Sequence, residues 1–536
     1  MNVLSLMASF ASLAFSGFLS YLSWLFIWKK NLKHYRIIKK MTEYLPIVCV
    51  AFFVISSIYA MPSYALDAFL SITWLVLSLS TSILLFNIRE KAMIKKHPEL
   101  EKKAHKHKLL FGIVDWVDAI AQAACIVLLL QFFVFQLYLI PSESMVPTFM
   151  IGDRVVGTKF MSGPSFPLSS FRFTQFRNYK RGDVVILRNP NYDDEPNNDL
   201  KFFTSQLIQI LTLTMVNINT DKDGKIKTDP LVKRIVATPN EKLMLVDGVL
   251  YIKKKGDGEW RVQDEKEYVL WNVDNLSKEE LKYVKDKKVD SEFLNMLEGI
   301  EKKRRDFVFE DGLKEAEAIV ARVKELRQDV NESLQEDVEE SVVIENLLLD
   351  HLILKDIEIA TKILTGDGSN WFSNFMLGWS FHWKDDNASL YEKRFAALNA
   401  LIKISIGNLV LKDMEMLKEG CSQAELLDDS ERLNILRELK NYYYYLALSG
   451  QRNMDEFPKG DDNYIPEASF FMMGDNRFNS TDMRHSYKIY QTQVDKKDAL
   501  SIRYFTNINP RYVREDRILG TASFVFWPKE RIGRVR

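Results

Sequence analysis

Four long apolar runs dominate the first quarter of the chain: Val3 to Ile27, Leu45 to Tyr64, Leu66 to Ile88 and Ile120 to Leu139. Each is long enough to cross a hydrocarbon core as a helix. Beyond Pro141 no further run of that kind occurs, and the pattern shortens to alternating stretches such as LVKRIV, Leu231 to Val236, which predict β-strands. There Leu231, Lys233 and Ile235 fall on one face and Val232, Arg234 and Val236 on the other, so one basic side chain is expected inward and the next outward. From about Val262 to Phe457 the period changes again. Ala316, Ile319, Val323, Leu326 and Val330 recur at helical spacing, as do Leu433, Leu436, Leu439, Tyr443 and Leu446, and no proline lies between Pro239 and Pro458. The chain thus divides into a four-helix membrane part (1–140), a strand-rich domain in two segments (141–261 and 458–536), and a helical insert (262–457).

Charge places these parts about the membrane. Lys29, Lys30, Lys33, Arg36, Lys39 and Lys40 lie between the first two runs, and Arg89, Lys91, Lys95, Lys96, Lys102, Lys103, Lys106 and Lys108 follow the third. Basic loops stay on the cytoplasmic side, whereas the Met61 to Asp67 connection has no Lys or Arg and belongs outside. Everything after the fourth span is then expected outside. The first run could instead be a cleavable leader, with small Ala8 and Ala11, but its basic residues follow it rather than precede it. Asp115 and Asp118, beside Trp116, fit an interfacial position better than a proton path.

Composition narrows the chemistry. Lys plus Arg and Asp plus Glu each number 72, so a net charge of zero argues against nucleic-acid binding as the main task. Three dispersed cysteines and seven scattered histidines provide neither a disulfide framework nor a metal-ligand spacing, and no cofactor is expected. The NTDKDGK string, Asn219 to Lys225, begins like a calcium loop, but Pro230 stands where the bidentate Glu belongs. A hairpin turn between TLTMVNI and KIKTD is preferred.

Four strings carry candidate chemistry: LIPSESMVPTFMIGDRVVGTK from Leu139, RGDVVILRNP from Arg181, DPLVKRIVATPNEKL from Asp229, and FFMMGDNRFNSTDMRHSY from Phe470. A serine needs a base to become a nucleophile, and no histidine lies in or near the Ser144 and Lys233 strings. A lysine serves that role where burial favours its neutral amine. In order and content, and with ILGTASFVFWP near the C-terminus, these strings resemble type I signal peptidase. The resemblance covers the fourth run, the segments to about Ile252, and Tyr464 onward. It implies a mostly antiparallel β catalytic domain on a multi-pass helical anchor, here with an inserted α-helical domain.

The resemblance also implies roles. Ser144 would attack the scissile carbonyl and Lys233 would act as its base, through an acyl-enzyme. Ser142 matches the residue whose hydroxyl joins the Ser144 N–H in an oxyanion hole. Ser480 matches the serine that orients the lysine, Asp482 and Arg484 a supporting ion pair, and Gly474, Asp475 and Asn476 the turn that presents it. An extended signal peptide would lie between Tyr138 to Ser142 and Pro230 to Val232, with Ile140, Met145, Phe149 and Val232 lining shallow pockets for small residues at Ala-X-Ala-like sites. Phe478 stands where the family commonly has Asp, and His485 where it has an aromatic. The implied location is the bacterial cytoplasmic membrane with the catalytic domain on the periplasmic side, and the implied partners are exported preproteins emerging from a secretion channel, together with lipid. The eukaryotic form would replace the lysine by histidine, so the bacterial form fits. A self-cleaving Ser-Lys repressor protease would lack the spans; the alternative from another class is an idle membrane scaffold that binds partners through its insert.

The insert departs from the family, whose inserts are usually β-rich. Its WFSNFMLGWSFHW string, Trp371 to Trp383, is expected in a core rather than against lipid or a partner. For Phe160, Phe166, Phe171, Phe173 and Phe176, interleaved with Arg172 and Arg177, contact with headgroups and burial under a loop stand level.

Overall fold

The structure is a computed structural model that describes residues 14, 17, 18, 21, 35–59, 64–87, 89–98, 108–169, 171–195, 197–212, 215–285, 290–331, 347–366, 368–380 and 387–535. Apart from residues 14, 17, 18 and 21, the first apolar run lies outside these residues, as does the end of the tryptophan-rich string, including Trp383. The chain forms two compact units, one of Met1–Pro141, Gly152–Lys233 and Arg514–Arg536, the other of Ser142–Ile151 and Arg234–Val513.

In the first unit the helices Tyr35–Tyr59, Tyr64–Asn87 and Lys108–Phe133 cover the second, third and fourth apolar runs. Polar ties join them: Trp74 Nε1 donates to the carbonyl of Pro46 (3.1 Å), Gln122 to Glu43 (3.0 Å), and Tyr44 to Asp118 (2.8 Å). Asp118 also meets Lys40, which gives this carboxylate a structural partner. Among the described residues two helices are long and apolar enough to cross a membrane. One is Gly112–Phe133, and the other, Leu390–Lys418, is 78% buried within the insert.

The fourth run does not stay helical to Leu139. Its helix stops at Phe133, and Phe135–Leu139 is a strand antiparallel to Arg154–Thr158. Apolarity alone cannot separate a helix end from a strand of leucines and aromatic residues that follows it directly. Ile518–Trp527 pairs with Arg154–Thr158 on one side and Val184–Leu187 on the other, which completes an antiparallel sheet with Gly533–Arg534 at its margin. Gly157 permits the Tyr138 ring to lie across this sheet, since a Cβ there would stand 2.8 Å from a ring carbon. Phe166 packs between Trp74 and Phe133, both at 4.9 Å between ring centroids, and joins the helices' core, whereas Phe176 is 75% exposed. The aromatic stretch thus contains both buried and exposed rings.

Between Asn189 and Asp229 the chain makes an excursion containing the helix Asn198–Leu211, for which the sequence reading has no element. Arg188 closes its base by donating to Asp229 (3.1 Å) and Asp199 (2.8 Å). At the NTDKDGK string only an isolated antiparallel bridge, Thr220 to Ile226, flanks a turn in which Asp221 accepts from the Asp223 and Lys225 amides (both 2.9 Å). The described residues of TLTMVNI, Thr212 and Met215 to Ile218, form no strand.

In the second unit a fully buried strand, Glu241–Val246, pairs with Val249–Lys254 through a tight turn in which Asp247 and Gly248 both have positive φ (53° and 78°). That geometry is the two-residue hairpin for which Asp-Gly is suited. Met454–Phe457 pairs with the other side of Glu241–Val246. Between these strands run the insert's helices, chiefly Ser291–Arg305, Phe309–Asn331, Asp356–Thr365, Gly368–Leu377, Leu390–Lys418 and Ser430–Arg452. Ser389 and Glu392 form a capping box at the start of Leu390–Lys418, and Asp429 caps Ser430–Arg452, so each long helix has a defined start. Leu390–Lys418 is the central helix, with Leu398, Ile402, Leu409 and Met414 completely buried. Trp379, Phe372 and Phe375 lie in the same core, as expected of their string. Arg304 binds Asp247 and Asn453, and Arg452 binds Glu301 bidentately (2.7 Å each), which clamps the helical ends to the hairpin they spring from.

Candidate active site

Ser144 lies in the irregular turn Pro141 to Met150, a segment without β-branched alternation or helical period. Buried neighbours fix it: Val146 and Met150 pack with Leu270, Leu276 and Val284. The Ser144 side chain is partly exposed, and Ser142 Oγ stands 3.4 Å from Ser144 Oγ. Glu143, buried between them in sequence, accepts from Asn479 Nδ2 (3.1 Å) and from the Lys285 amide. This turn is therefore held through Glu143, Val146 and Met150, while Ser142 is exposed and Ser144 half-buried.

The GDN string supplies the opposite wall. Asn476 donates its backbone N–H to the Ser144 carbonyl (3.2 Å) and its side-chain amide to the Glu143 carbonyl (3.1 Å). Asp475 receives the Arg234 guanidinium at 2.9 and 2.8 Å and the Thr148 hydroxyl as well. Gly474 is where the two strands of chain come closest. A Cβ there would stand 2.6 Å from Ser480 Cβ and nearer still to Ser480 Oγ and the Ser144 carbonyl oxygen.

Ser480 donates to Asp482 Oδ2 at 2.9 Å, and the same oxygen accepts the Gly474 N–H at 2.9 Å. Arg484 grips the carboxylate from the far side, Nε to Oδ1 at 2.8 Å and a second nitrogen to Oδ2 at 2.9 Å. Burial would raise the Asp482 carboxyl, but Arg484 and His485 beside it hold it well below the usual carboxylate range. It thus stays charged and keeps the Ser480 hydroxyl turned toward it. His485 is itself buried, which lowers its imidazole below the ordinary value, and its Nδ1 faces Asp482 Oδ1 at 3.6 Å. A histidine in place of an aromatic ring here adds a polar neighbour to Asp482.

Lys233 is 2% exposed, on the strand Leu231–Ala237. The expected alternation of one basic residue inward and the next outward does not hold, because Arg234 is also 2% exposed. Its strand pairs with Ser469–Met473, Arg234 opposite Met473, so both faces are covered and the guanidinium ends on Asp475 and against the Tyr268 ring (4.3 Å). Period-two reasoning assumes one wet face, and this strand has none. Of the expected pocket residues, Met145 and Phe149 are buried in the second unit; Ile140 is buried and Val232 half-buried in the first.

Arg234, Thr148 and Glu143 were not singled out by motif, although all three brace the serine turn. The signal for them was present as charge inside otherwise apolar or serine-rich strings. Phe478, which replaces a common Asp, stacks edge-on to Trp271 (5.3 Å) and packs against the insert's core. The substitution therefore serves the insert. Among the described residues no group of three or more His, Cys, Asp or Glu is placed to hold a metal ion.

Comparison with known proteins gives these residues a context. Residues 113–308 match the family described as signal peptidase, peptidase S26, a stretch that includes Ser144 and Lys233 and ends before Gly474. The chain is 32% identical over 115 residues to a signal peptidase I of Buchnera aphidicola subsp. Baizongia pistaciae, covering 22% of this chain and 32% of that protein. It is 31% identical over 123 residues to one of Pseudomonas aeruginosa, covering 22% and 41%. With one of Bacillus licheniformis it shares 27% over 155 residues, covering 29% and 56%. The matched stretches thus span between 32% and 56% of these relatives.

Proposed function

We propose, on the premise that this chain belongs with the type I signal peptidases of family S26, that it is a membrane-bound serine endopeptidase removing signal peptides from exported proteins. In this reading Ser144 Oγ attacks the scissile carbonyl while Lys233 takes its proton. The resulting oxyanion is held by the Ser144 N–H and the Ser142 hydroxyl. Collapse expels the new N-terminal amine, which takes the proton from Lys233 and leaves an acyl-Ser144 ester. Water, deprotonated by the same lysine, then hydrolyses the ester and releases the signal peptide's carboxylate.

The observation that carries this reading is the grip on Ser144. Its carbonyl is tied to the Asn476 amide (3.2 Å) while Ser142 Oγ stands 3.4 Å from its hydroxyl, so the nucleophile and one oxyanion donor are arranged beforehand. Ser480, fixed by ionised Asp482, serves as a positioning residue for the lysine. Ile140, Met145, Phe149 and Val232 are the candidate walls for small side chains before the cut. The substrates would be preproteins emerging from a secretion channel with Ala-X-Ala-like ends.

The anchor is proposed to be multi-pass, with the catalytic residues outside the cytoplasmic membrane of a bacterium; loop charge and the helix Gly112–Phe133 support it. Purified protein incubated with a preprotein, beside Ser144→Ala and Lys233→Ala, tests the chemistry. Cleavage should vanish in both variants, and persistence in either refutes the pair. A membrane-impermeant thiol reagent applied to spheroplasts carrying a cysteine at Lys418 tests the side, and labelling only after lysis would contradict it.

A further inference from the structure

Where the insert rejoins the strands that flank it, a cavity of about 420 Å³ opens within the second unit. Its walls are aromatic. Tyr391 and Phe395, stacked at 4.2 Å, come from the first turns of Leu390–Lys418; Tyr490 and Tyr504 come from the hairpin His485–Gln493 and Arg503–Ile508. Two lysines, Lys459 and Lys496, stand at its rim with their amines in hydrogen-bond reach of each other.

Such a pair needs negative charge. Lys459 has Asp455 at 2.6 Å, whereas Lys496 makes no ion pair among the described residues. Of the other acids lining the cavity, Glu456 binds Lys242 (2.6 Å) and Asp495 accepts the Lys497 amide (2.9 Å). Glu392, which accepts the Ser389 amide of its capping box (2.9 Å), and Asp455 attract Lys496 only as the smaller influences on it. Burial, and then Lys459 alongside, lower the Lys496 ammonium below its ordinary value. An external anion would relieve that repulsion by meeting both amines at once. The rings beneath would receive an apolar body, since aromatic walls with a few placed polar groups are the usual make-up of a small-molecule site.

We propose that this cavity binds an amphipathic anion, a carboxylate or phosphate on an apolar or aromatic body, with Lys459 and Lys496 on the acidic group and Tyr391, Phe395, Tyr490 and Tyr504 around the remainder. The site is independent of the peptidase reading. Full-length protein in a neutral detergent is titrated with phenylbutyrate, with uncharged phenylbutanol and with inorganic phosphate, read by ligand-observed NMR and by thermal unfolding. Phenylbutyrate should bind more tightly than either control, and Lys496→Gln should weaken it about fivefold through loss of one charge-assisted hydrogen bond. Ala396→Trp, which places a ring in the cavity wall, should block it; Lys496 is at the exposed rim, so its variant folds even if the tryptophan variant does not. Competition by phosphatidylglycerol vesicles, and none by phosphatidylcholine, would identify a lipid headgroup as the source; phenylbutyrate binding that neither displaces would identify a free amphiphile. Equal binding of phenylbutyrate and phenylbutanol, or unchanged phenylbutyrate affinity in Lys496→Gln, overturns the proposal.

Discussion

Gly474→Ala is the sharpest test of how the serine turn is held. The added methyl would lie 2.6 Å from Ser480 Cβ and closer to Ser480 Oγ and the Ser144 carbonyl oxygen, where ordinary contact begins near 3.4 Å. Ser480 can rotate, but the Ser144 oxygen is backbone. The Ser144 peptide must therefore retreat by about an ångström, a displacement that, on the proposed role of Ser144, costs about a hundredfold in rate. Strain of this kind also lowers stability by about 1–3 kcal/mol. Both are measured on one preparation: kcat/KM on a preprotein, and the thermal unfolding midpoint. Gly299→Ala is the matched control, because its Cβ meets nothing within 4 Å in the exposed side of Ser291–Arg305. That change should leave cleavage intact and stabilise by up to about 1 kcal/mol. A Gly474→Ala protein with native kcat/KM and an unchanged midpoint would refute the close approach of Gly474, Ser480 and Ser144.

Asp475→Asn leaves the buried Arg234 guanidinium without its counter-charge, so a loss of about 3–5 kcal/mol is expected in denaturant unfolding; a loss below about 1 kcal/mol would show the pair to be dispensable. In the insert, burial pushes the Asp413 carboxyl up to about 6, with Arg432 opposing and Asp356 adding to the rise. The folded state then holds this proton more tightly than the unfolded chain between pH 3.8 and about 6, so this group's contribution to stability falls as pH rises through that window. Asp413→Asn should flatten that part of the curve, and an unchanged slope would locate the titration elsewhere.

The candidate site residues were named from a family resemblance; what the sequence itself made legible is that they sit in local turns. SxSMxPT, GDN and the NSTDMR string each fold into a turn whose internal hydrogen bonds join residues a few positions apart, and the structure brings Ser142, Ser144, Gly474, Asn476, Ser480, Asp482 and Arg484 into one such set. The helical insert was readable because proline is absent and the apolar period is long. What escaped was set by tertiary context. Phe135–Leu139 reads as a continuation of the helix before it, since its apolar residues follow that helix without a break. Arg234 was assigned outward because alternation assumes one wet face, and its strand is covered on both. The helix Asn198–Leu211 was given no element in the sequence, because it is a single short amphipathic helix inside an excursion between strands. Phe478 had no meaning until Trp271 and the insert were beside it.

The contact of Phe478 with the insert has a further consequence for how the second unit comes apart. Val494, Ile502 and Phe478 belong to or pack on the same apolar cluster as Leu398 and Leu409, and Arg304 and Arg452 fasten the helical ends to the Asp247 turn. The insert is thus no appendage that could be trimmed to a short loop. Melting its helices would strip the cover from the loop that carries the GDN string, so helix signal and the proposed peptidase activity should disappear in one cooperative step on heating.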